Sequence, residues 1–382
     1  MRSSGTASLA TACLLATGLL AAPPSLADGG RNPARDPGGS GSVLRLAPDV
    51  GLSTRSVEVP AAAALRGPVR TASYSMVGLT WHGDDPTLRV RSHGVDGWRP
   101  WRAALVMDDG PTRTRALRST TLLWVGPSDG VQVRAAGSGY RDLELVLIDP
   151  GHLASDREAA PAASPPARRT TRVVAPAATR APEPPLLSRK QWGADPSWLN
   201  GTPRYNLGLR QVHIHHTASG NGYSRADVPG ILRGFYRYHT RTLGWFDIAY
   251  NFLVDKFGRA WVGRSGGVAQ LVRGAHTLGF NHNSVGIAVI GNFDTVRPPQ
   301  KVVTTLVRLA AWKLDRHRRD ASGTVVVTSE GSDRYPTGTD VRLPVIDGHR
   351  DTNETACPGA RLYEKLPAIR RRAQHRLTTY GP

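Results

Sequence analysis

Cysteine is almost absent from this 382-residue chain, which contains only Cys13 and Cys357. A scaffold held together by several disulfides is therefore excluded. Lysine is also scarce, with five lysines against 44 arginines, and acidic residues are outnumbered, so that the formal net charge is +19. Such a surface attracts polyanions. No groove-reading motif or base-stacking pattern accompanies the charge, and we therefore expect no nucleic-acid partner.

Long apolar runs are absent apart from the 14 residues of "LATACLLATGLLAA" at positions 9–22. This run is shorter than the roughly 20 residues that a transmembrane helix needs, so we predict no transmembrane segment. Arg2 precedes the run and the small residues Ser25 and Ala27 follow it, which is typical of a secretory signal peptide cleaved after Ala27. The alternative is an apolar core helix. We expect a secreted protein, whose polyanionic partners would be anionic cell-wall polymers or phospholipid.

Composition divides the chain into five segments. Residues 1–27 are the predicted signal peptide, and residues 28–42, rich in glycine and proline, are predicted to be disordered. Residues 43–150 contain short alternating apolar segments about ten residues apart, which predicts an all-β, sandwich-like accessory domain. Residues 151–185 are rich in alanine, proline and arginine and lack periodicity, as is typical of a linker. Residues 186–382 mix strands with helices and form the predicted second domain.

The second domain has the pattern of an α/β fold with a mixed central sheet flanked by helices. Helical spacing follows a predicted N-cap at Ser224, and residues 301–317 have a second amphipathic pattern. Residues 248–263 are predicted to form a hairpin. Residues 284–293 are almost continuously apolar, as expected of a strand that is buried on both faces. A closing helix is predicted to begin at Pro358.

The pair His349 and Cys357 is separated by seven residues, a loop that can bring both side chains to one point. Cleavage of the signal peptide would remove Cys13, so Cys357 would form an intermolecular bond, remain a buried thiol or bind a metal. Because Pro358 suits the first position of a helix, we predict Cys357 as the N-cap, where the helix dipole favours a thiolate. Thiolate and neutral imidazole are ligands that Zn²⁺ prefers.

Further histidine ligands are available in the β-rich segment "VHIHHT". Successive side chains of a strand face opposite ways, so His215 and His216 cannot both enter one site. His213 shares a face with His215, whereas His216 shares the apolar face of Ile214 and Val212 and is predicted to lie in the core. The pattern leaves the choice between His213 and His215 open.

Five blocks of the second domain together resemble a known family. They are "LLSRKQWGA", "VHIHHTASG", "DIAYNFLVDKFGRAWVGR", "GAHTLGFNHNSVGIAVIGNF" and "GHRDTNETACPG". In order and spacing they resemble the peptidoglycan recognition protein family, which belongs with the zinc-dependent N-acetylmuramoyl-L-alanine amidases. The resemblance covers residues 186–376. It implies a secreted, cell-wall-associated catalytic domain with peptidoglycan as its partner and Zn²⁺ as its cofactor.

The resemblance also implies which residues carry the chemistry. The zinc ligands would be His215, His349 and Cys357. Zinc would activate a water molecule to attack the amide between N-acetylmuramic acid and L-alanine, and the hydroxyls of Tyr250 and Thr355 would stabilise the oxyanion. Members of the family that only bind peptidoglycan typically lack a zinc ligand, often the cysteine. This sequence retains all three, which favours an amidase over a non-catalytic peptidoglycan-binding protein.

Substrate contacts follow from the same resemblance. Arg264, His276 and Asn281 match the family's cleft positions and would hold the muramyl peptide. The segment after Arg264, "SGGVAQLVRGAH", departs from the family's common pattern. The third residue of the preferred stem peptide, lysine or diaminopimelate, is therefore left open.

Overall fold

The computed structural model describes residues 43–48, 54–107, 109–110, 117–158 and 180–380. The predicted signal peptide 1–27, the segment 28–42 and residues 159–179 of the predicted linker lie outside this part of the chain. From Val43 onward the chain belongs to one compact unit. Within the described residues we find no helix with the length and apolarity of a membrane span.

The first domain is built from antiparallel strands, which confirms the all-β prediction. Its elements are β1 (Ala47–Pro48), β2 (Arg55–Pro60), α1 (Ala62–Arg66), β3 (Val69–Gly83), β4 (Thr87–Gly94), β5 (Gly97–Trp98), β6 (Arg102–Ala104), β7 (Arg118–Ser119), β8 (Leu123–Ala136) and β9 (Tyr140–Asp149). The strand order is β1-β2-β9-β3-β8-β4-β5, with β6 paired to β4 and β7 to β3. Exposed and buried residues alternate along β4, as the period-2 sequence pattern predicts.

The central strands β3 and β9 are buried on both faces. On one face, Val77 and Leu147 pack in the core of the first domain. On the other, Met76, Val146 and Ile148 pack in a cluster that contains residues of the second domain. The two domains therefore share an apolar core.

The second domain is the predicted α/β fold. Its strands are β10 (Leu186–Leu187), β11 (Gln211–His216), β12 (Phe252–Val254), β13 (Ala260–Val262), β14 (Ser284–Val289), β15 (Thr324–Thr328), β16 (Asp340–Pro344) and β17 (Ile346–Gly348). The helices are α2 (Ser155–Glu158), which precedes the domain in sequence, α3 (Asp227–Arg237), α4 (Gln300–Asp315), α5 (Ala360–Tyr363) and α6 (Leu366–Tyr380).

The main sheet of the second domain is mixed and has the order β10-β13-β12-β14-β11-β17, while β15 and β16 pair separately. The predicted hairpin is present as the antiparallel pair β12–β13, and β11 is parallel to both β14 and β17. All of β14 is buried, with Ile287 and Val289 facing α4 and α6 and Ala288 facing α3. This two-sided burial explains its continuous apolar sequence.

Helix α3 lies between the two sheets and joins the domains. Its N-cap is Ala226, two residues beyond the predicted Ser224, although the Ser224 N–H donates to the Asp227 carboxylate at 2.6 Å, as in one half of a capping box. The buried Arg233 guanidinium donates to both carboxylate oxygens of Asp156 on α2 at 2.8 Å. After α3, the hydroxyl of Tyr238 reaches backbone carbonyls of the first domain. These contacts place one edge of the first domain over the second.

Candidate metal centre

Three side chains meet at the carboxyl ends of neighbouring strands. His215 lies near the end of β11, and His349 follows β17 directly. Because Ile214 pairs with Gly348 in the parallel register, the two histidines lie side by side one residue further on, with ring centroids 4.7 Å apart. The loop after His349 returns Cys357 to the same point, with its Sγ 3.8 Å from Nδ1 of His215.

This cluster has the donor atoms of a metal site. Ligand atoms of His215, His349 and Cys357 all lie within 4.8 Å of one another, and the three residues are buried. In a tetrahedral zinc site with bonds of about 2.0–2.3 Å, neighbouring ligand atoms lie about 3.3–3.8 Å apart. Burial lowers the pKa of His349 to about 3, and burial followed by the neighbouring histidines lowers the pKa of His215 well below its usual value. Both rings are therefore neutral, as metal binding requires.

The neighbours of His215 on β11 have other partners. Nδ1 of His213 lies 2.5 Å from Oδ1 of Asp347, and the other oxygen of that carboxylate accepts from Gln211 at 2.9 Å. Nδ1 of His216 accepts from the N–H of Phe293 at 3.2 Å. Of the two histidines that strand parity left open, the structure brings His215 to the cluster.

The prediction that Cys357 is a helix N-cap is wrong. The following helix, α5, begins at Ala360 and has Gly359 as its N-cap. Gly359 has φ of 87°, a left-handed conformation that favours glycine, so the chain turns there before the helix starts. The Cys357 sulfur instead accepts from the N–H of His216 at 3.4 Å, and the Cys357 N–H donates to Oγ1 of Thr355 at 3.2 Å.

The two predicted catalytic hydroxyls line the same cavity. This cavity of about 300 Å³ is bounded by Tyr250, Thr355, His349 and Cys357, together with residues 105–107 and Asp109 of the first domain. The Tyr250 ring lies 5.4 Å from that of His215, measured between centroids. Burial, followed by nearby negative charge, raises the pKa of Tyr250 well above its usual value, so its hydroxyl is a hydrogen-bond donor at neutral pH.

Asp109 of the first domain is the residue that sequence reasoning missed. Its Oδ2 accepts a hydrogen bond of 2.6 Å from the hydroxyl of Tyr250. Its Oδ1 lies 3.6 Å from Nδ1 of His349 and 4.0 Å from Nδ1 of His215. In the sequence, Asp109 belongs to the turn signal "DDGP" between two strands, and nothing local marks it as part of a site in the other domain.

The three predicted substrate contacts occupy different positions. Arg264 lines a second cavity of about 660 Å³, and its N–H donates to the carbonyl of Ile248 at 2.8 Å. His276 is fully buried, and its Nδ1 lies 3.2 Å from Nε2 of His215. Asn281 is buried as well; its Oδ1 accepts from the N–H of His276, and its Nδ2 donates to the carbonyl of Gly110 at 3.2 Å.

The cavity beside Arg264 is basic. Arg204 and Arg273 also line it, and Glu330 is the acidic residue among its lining residues. Glu330 pairs with Arg273. Burial lowers the pKa of Arg264 to about 10, which leaves the guanidinium charged at neutral pH. The cavity is therefore suited to an anionic ligand.

Comparison with known proteins gives matches to both domains. Residues 205–360 match the family described as N-acetylmuramoyl-L-alanine amidase. Residues 43–175 match the family described as Rv3811 N-terminal galactose-binding domain-like.

Similarity to individual proteins covers about half of the chain. One peptidoglycan-recognition protein of Drosophila melanogaster is 32% identical over 167 residues, which are 43% of this chain and 76% of that protein. Peptidoglycan-recognition protein SC2 of Drosophila simulans is 28% identical over 183 residues, 47% of this chain and 84% of that protein. The solved structure of wild-type Drosophila PGRP-LB is 29% identical, covers 48% of this chain and 92% of its own, and superposes with a TM-score of 0.37.

Proposed function

Because the chain belongs to the family of peptidoglycan recognition proteins and type 2 amidases, we propose that it is a zinc-dependent N-acetylmuramoyl-L-alanine amidase. The observation that carries this proposal is the convergence of His215, His349 and Cys357 on one buried point. Two neutral imidazoles and one thiolate match the donor set of catalytic zinc sites, which use three protein ligands. When bound there, zinc would activate water and polarise the carbonyl of the amide between N-acetylmuramic acid and L-alanine.

The residues of the chain itself position the reacting groups. Tyr250 remains protonated at neutral pH, so its hydroxyl can donate to the carbonyl oxygen of the substrate as negative charge develops there. The hydroxyl of Thr355 accepts from the N–H of Cys357, which leaves its own proton available to the cavity. Loss of one such donor costs about 3–4 kcal/mol of transition-state stabilisation.

The basic cavity is the proposed site of the stem peptide. Arg204, Arg264 and Arg273 face it, and free carboxylates of a peptidoglycan stem are the anions they would hold. With Asn281 bonded to Gly110 and His276 buried behind His215, we assign substrate contact to Arg264 and a positioning role to His276. The amino-terminal sequence 1–27 and the net charge of +19 support secretion and association with the anionic cell wall.

The test is hydrolysis of purified peptidoglycan sacculi by the zinc-loaded protein. The Asp109 carboxylate lies within 4.0 Å of Nδ1 of both His215 and His349, the proposed zinc ligands. Wild type and Asp109→Ala, which lacks this carboxylate, are therefore assayed side by side. We expect release of stem peptides with new alanine amino termini, and no release by Cys357→Ser at equal protein concentration. If sacculi bind the protein in a pelleting assay but neither form liberates amino termini, the protein is a non-catalytic peptidoglycan-binding protein and the amidase proposal is wrong.

A further inference from the structure

We propose that Asp109 of the first domain is a fourth ligand of the metal centre and keeps it closed to substrate. The inference rests on the proposed function in taking zinc as the metal and Tyr250 as a donor to the substrate oxygen. A catalytic zinc site keeps one position open for water or substrate, whereas a site with four protein ligands is closed. In the arrangement of this chain, the fourth position is filled from another domain.

The distances support ligation by Oδ1 of Asp109. This oxygen is 3.6 Å from Nδ1 of His349 and 4.0 Å from Nδ1 of His215. Within the three-residue cluster, the Cys357 sulfur is 3.8 Å from the same nitrogen of His215. The carboxylate is thus within 0.2 Å of being as close to His215 as the cysteine is. These separations are within a few tenths of an ångström of the roughly 3.3–3.8 Å between neighbouring ligands of tetrahedral zinc.

The second carboxylate oxygen of Asp109 accepts a hydrogen bond from Tyr250, whose hydroxyl we propose as catalytic. Oδ2 accepts the 2.6 Å hydrogen bond from Tyr250, the donor that we assign to the substrate oxygen. One carboxylate therefore lies against both the metal ligands and the tyrosine, the two places at which the oxygens of a hydrolysing amide would be stabilised. Asp109 stands where the substrate carbonyl has to lie.

The main chain beside Asp109 also forms a hydrogen bond with a polar side chain of the second domain. The carbonyl of Gly110 accepts from Nδ2 of Asn281 at 3.2 Å. Only 7% of the Asp109 surface is exposed, and Gly110 is buried. The segment 109–110 thus bonds to Tyr250 and to Asn281 through a carboxylate and a carbonyl, groups that a peptide substrate would also present.

The segment is held in place by the domain interface. Before it, the N–H of Met107 donates to the carbonyl of Ser119 at 2.8 Å, and Met107 itself packs in the shared core. The Arg102 guanidinium donates to the carbonyl of Trp124 in its own domain and to that of Ser219 in the second. Substrate access consequently requires Asp109 to leave the metal, which opening of this interface would allow.

Anion binding to the cobalt(II)-substituted full-length protein tests the inference without a peptidoglycan substrate. Azide titrations are followed in the visible d–d spectrum for wild type, Asp109→Ala and Glu354→Ala. Glu354 lines the same cavity, so its variant removes an equal charge without removing the proposed ligand. We expect Asp109→Ala to bind azide at least about tenfold more tightly than the other two, the factor that a closed fraction of about 90% imposes.

The result that would overturn the inference is equal azide affinity in wild type and Asp109→Ala, or an equal gain in Glu354→Ala. Should Asp109→Ala fail to fold, Arg102→Ala replaces it, because Arg102 holds the interface and does not touch the centre. We expect Arg102→Ala to bind azide more tightly than wild type, but less tightly than a centre without the Asp109 carboxylate. An azide affinity equal to that of wild type contradicts the proposal.

The two proposals fail separately. If Asp109→Ala gains azide binding but no form releases alanine amino termini, the ligand assignment stands and the amidase proposal is wrong. If wild type binds azide as tightly as Asp109→Ala and hydrolyses sacculi equally fast, the amidase proposal stands and Asp109 is not a ligand. If both proposals hold, Asp109→Ala hydrolyses sacculi faster than wild type does, unless the sacculi themselves displace the Asp109 carboxylate from the metal.

Discussion

Nδ1 of His276 lies 3.2 Å from Nε2 of His215, the nitrogen opposite the one that faces Cys357. The His276 ring has space there because two glycines flank it, and a Cβ on either Gly274 or Gly286 would overlap the ring. A hydrogen bond to the outer nitrogen of a metal-binding histidine fixes its tautomer and ring orientation. We therefore propose that His276 is a positioning residue for His215.

We predict that His276→Ala lowers zinc affinity about 10- to 100-fold while saturating zinc still gives one ion per chain, because only the orientation of His215 is lost. Competition with a chromophoric chelator measures the affinity. His282→Ala is the matched control, since His282 belongs to the same segment and bonds to Asn283 instead. Affinity equal to that of the control would show that the contact with His215 does not orient the ligand.

Substitutions in β11 and in the loop after His349 test the proposed zinc ligands. Cys357→Ser and His215→Ala should each weaken zinc binding by more than the roughly 100-fold expected of an outer partner, because each removes a metal–ligand bond. His216→Ala should retain zinc and lose stability, since the His216 ring accepts from Phe293 in the core. Bound zinc per chain and thermal unfolding are measured for all three. Loss of zinc in His216→Ala with retention in His215→Ala would reverse the assignment.

The joint between the domains depends on a buried ion pair. Arg233 is fully buried and donates to Asp156 and to the backbone carbonyls of Pro150, Gly151 and Trp192. Asp156→Ala leaves this guanidinium without its counter-charge, and we predict a loss of about 3–5 kcal/mol in the free energy of unfolding by urea. The exposed neighbour Arg157 provides the control, for which Arg157→Ala should change the free energy by less than about 0.5 kcal/mol.

A pH effect should arise at Lys313, on α4. Burial lowers the pKa of Lys313 to about 8, and its Nζ donates to the carbonyls of Val268 and Gln270. As pH falls from 10.5 to about 8, the unfolded chain takes up a proton before the folded chain does, so the folded state loses stability over this window. Above 10.5, the usual pKa of lysine, this contribution is fully present.

The matched variant is Lys313→Met, which cannot titrate. We predict that the difference in unfolding free energy between wild type and Lys313→Met changes by about 3 kcal/mol across this pH window, to the advantage of wild type at the alkaline end. Urea unfolding at several pH values measures it. A constant difference would mean that Lys313 titrates alike in the folded and unfolded chains.

Much of the second domain was predictable because its elements have strong local patterns. The continuous apolar run of β14 and the turn between β12 and β13 each follow from a few adjacent residues. Strand parity also kept His216 out of the ligand cluster, since the side chains of a strand must alternate and its ring accepts from Phe293 instead. The ends of elements were less certain, and both predicted caps, Ser224 and Cys357, were wrong. At the second of these, Gly359 with its positive φ turns the chain before the helix starts.

The sequence by itself determined the secondary-structure pattern, the basic charge and the residue types that can hold a metal, because these depend on local spacing and composition. Only the tertiary structure decided which atoms meet. Met76 and Ile148 bury the second face of their sheet against α3, and this packing carries the loop with Asp109 to the end of β11. Asp109 and Tyr250 are 141 residues apart in the chain, and no local pattern encodes their contact. This contact follows from the packing of one domain on the other. Each apolar face by itself is compatible with many packing arrangements, and only the packing of the two faces selects one of them.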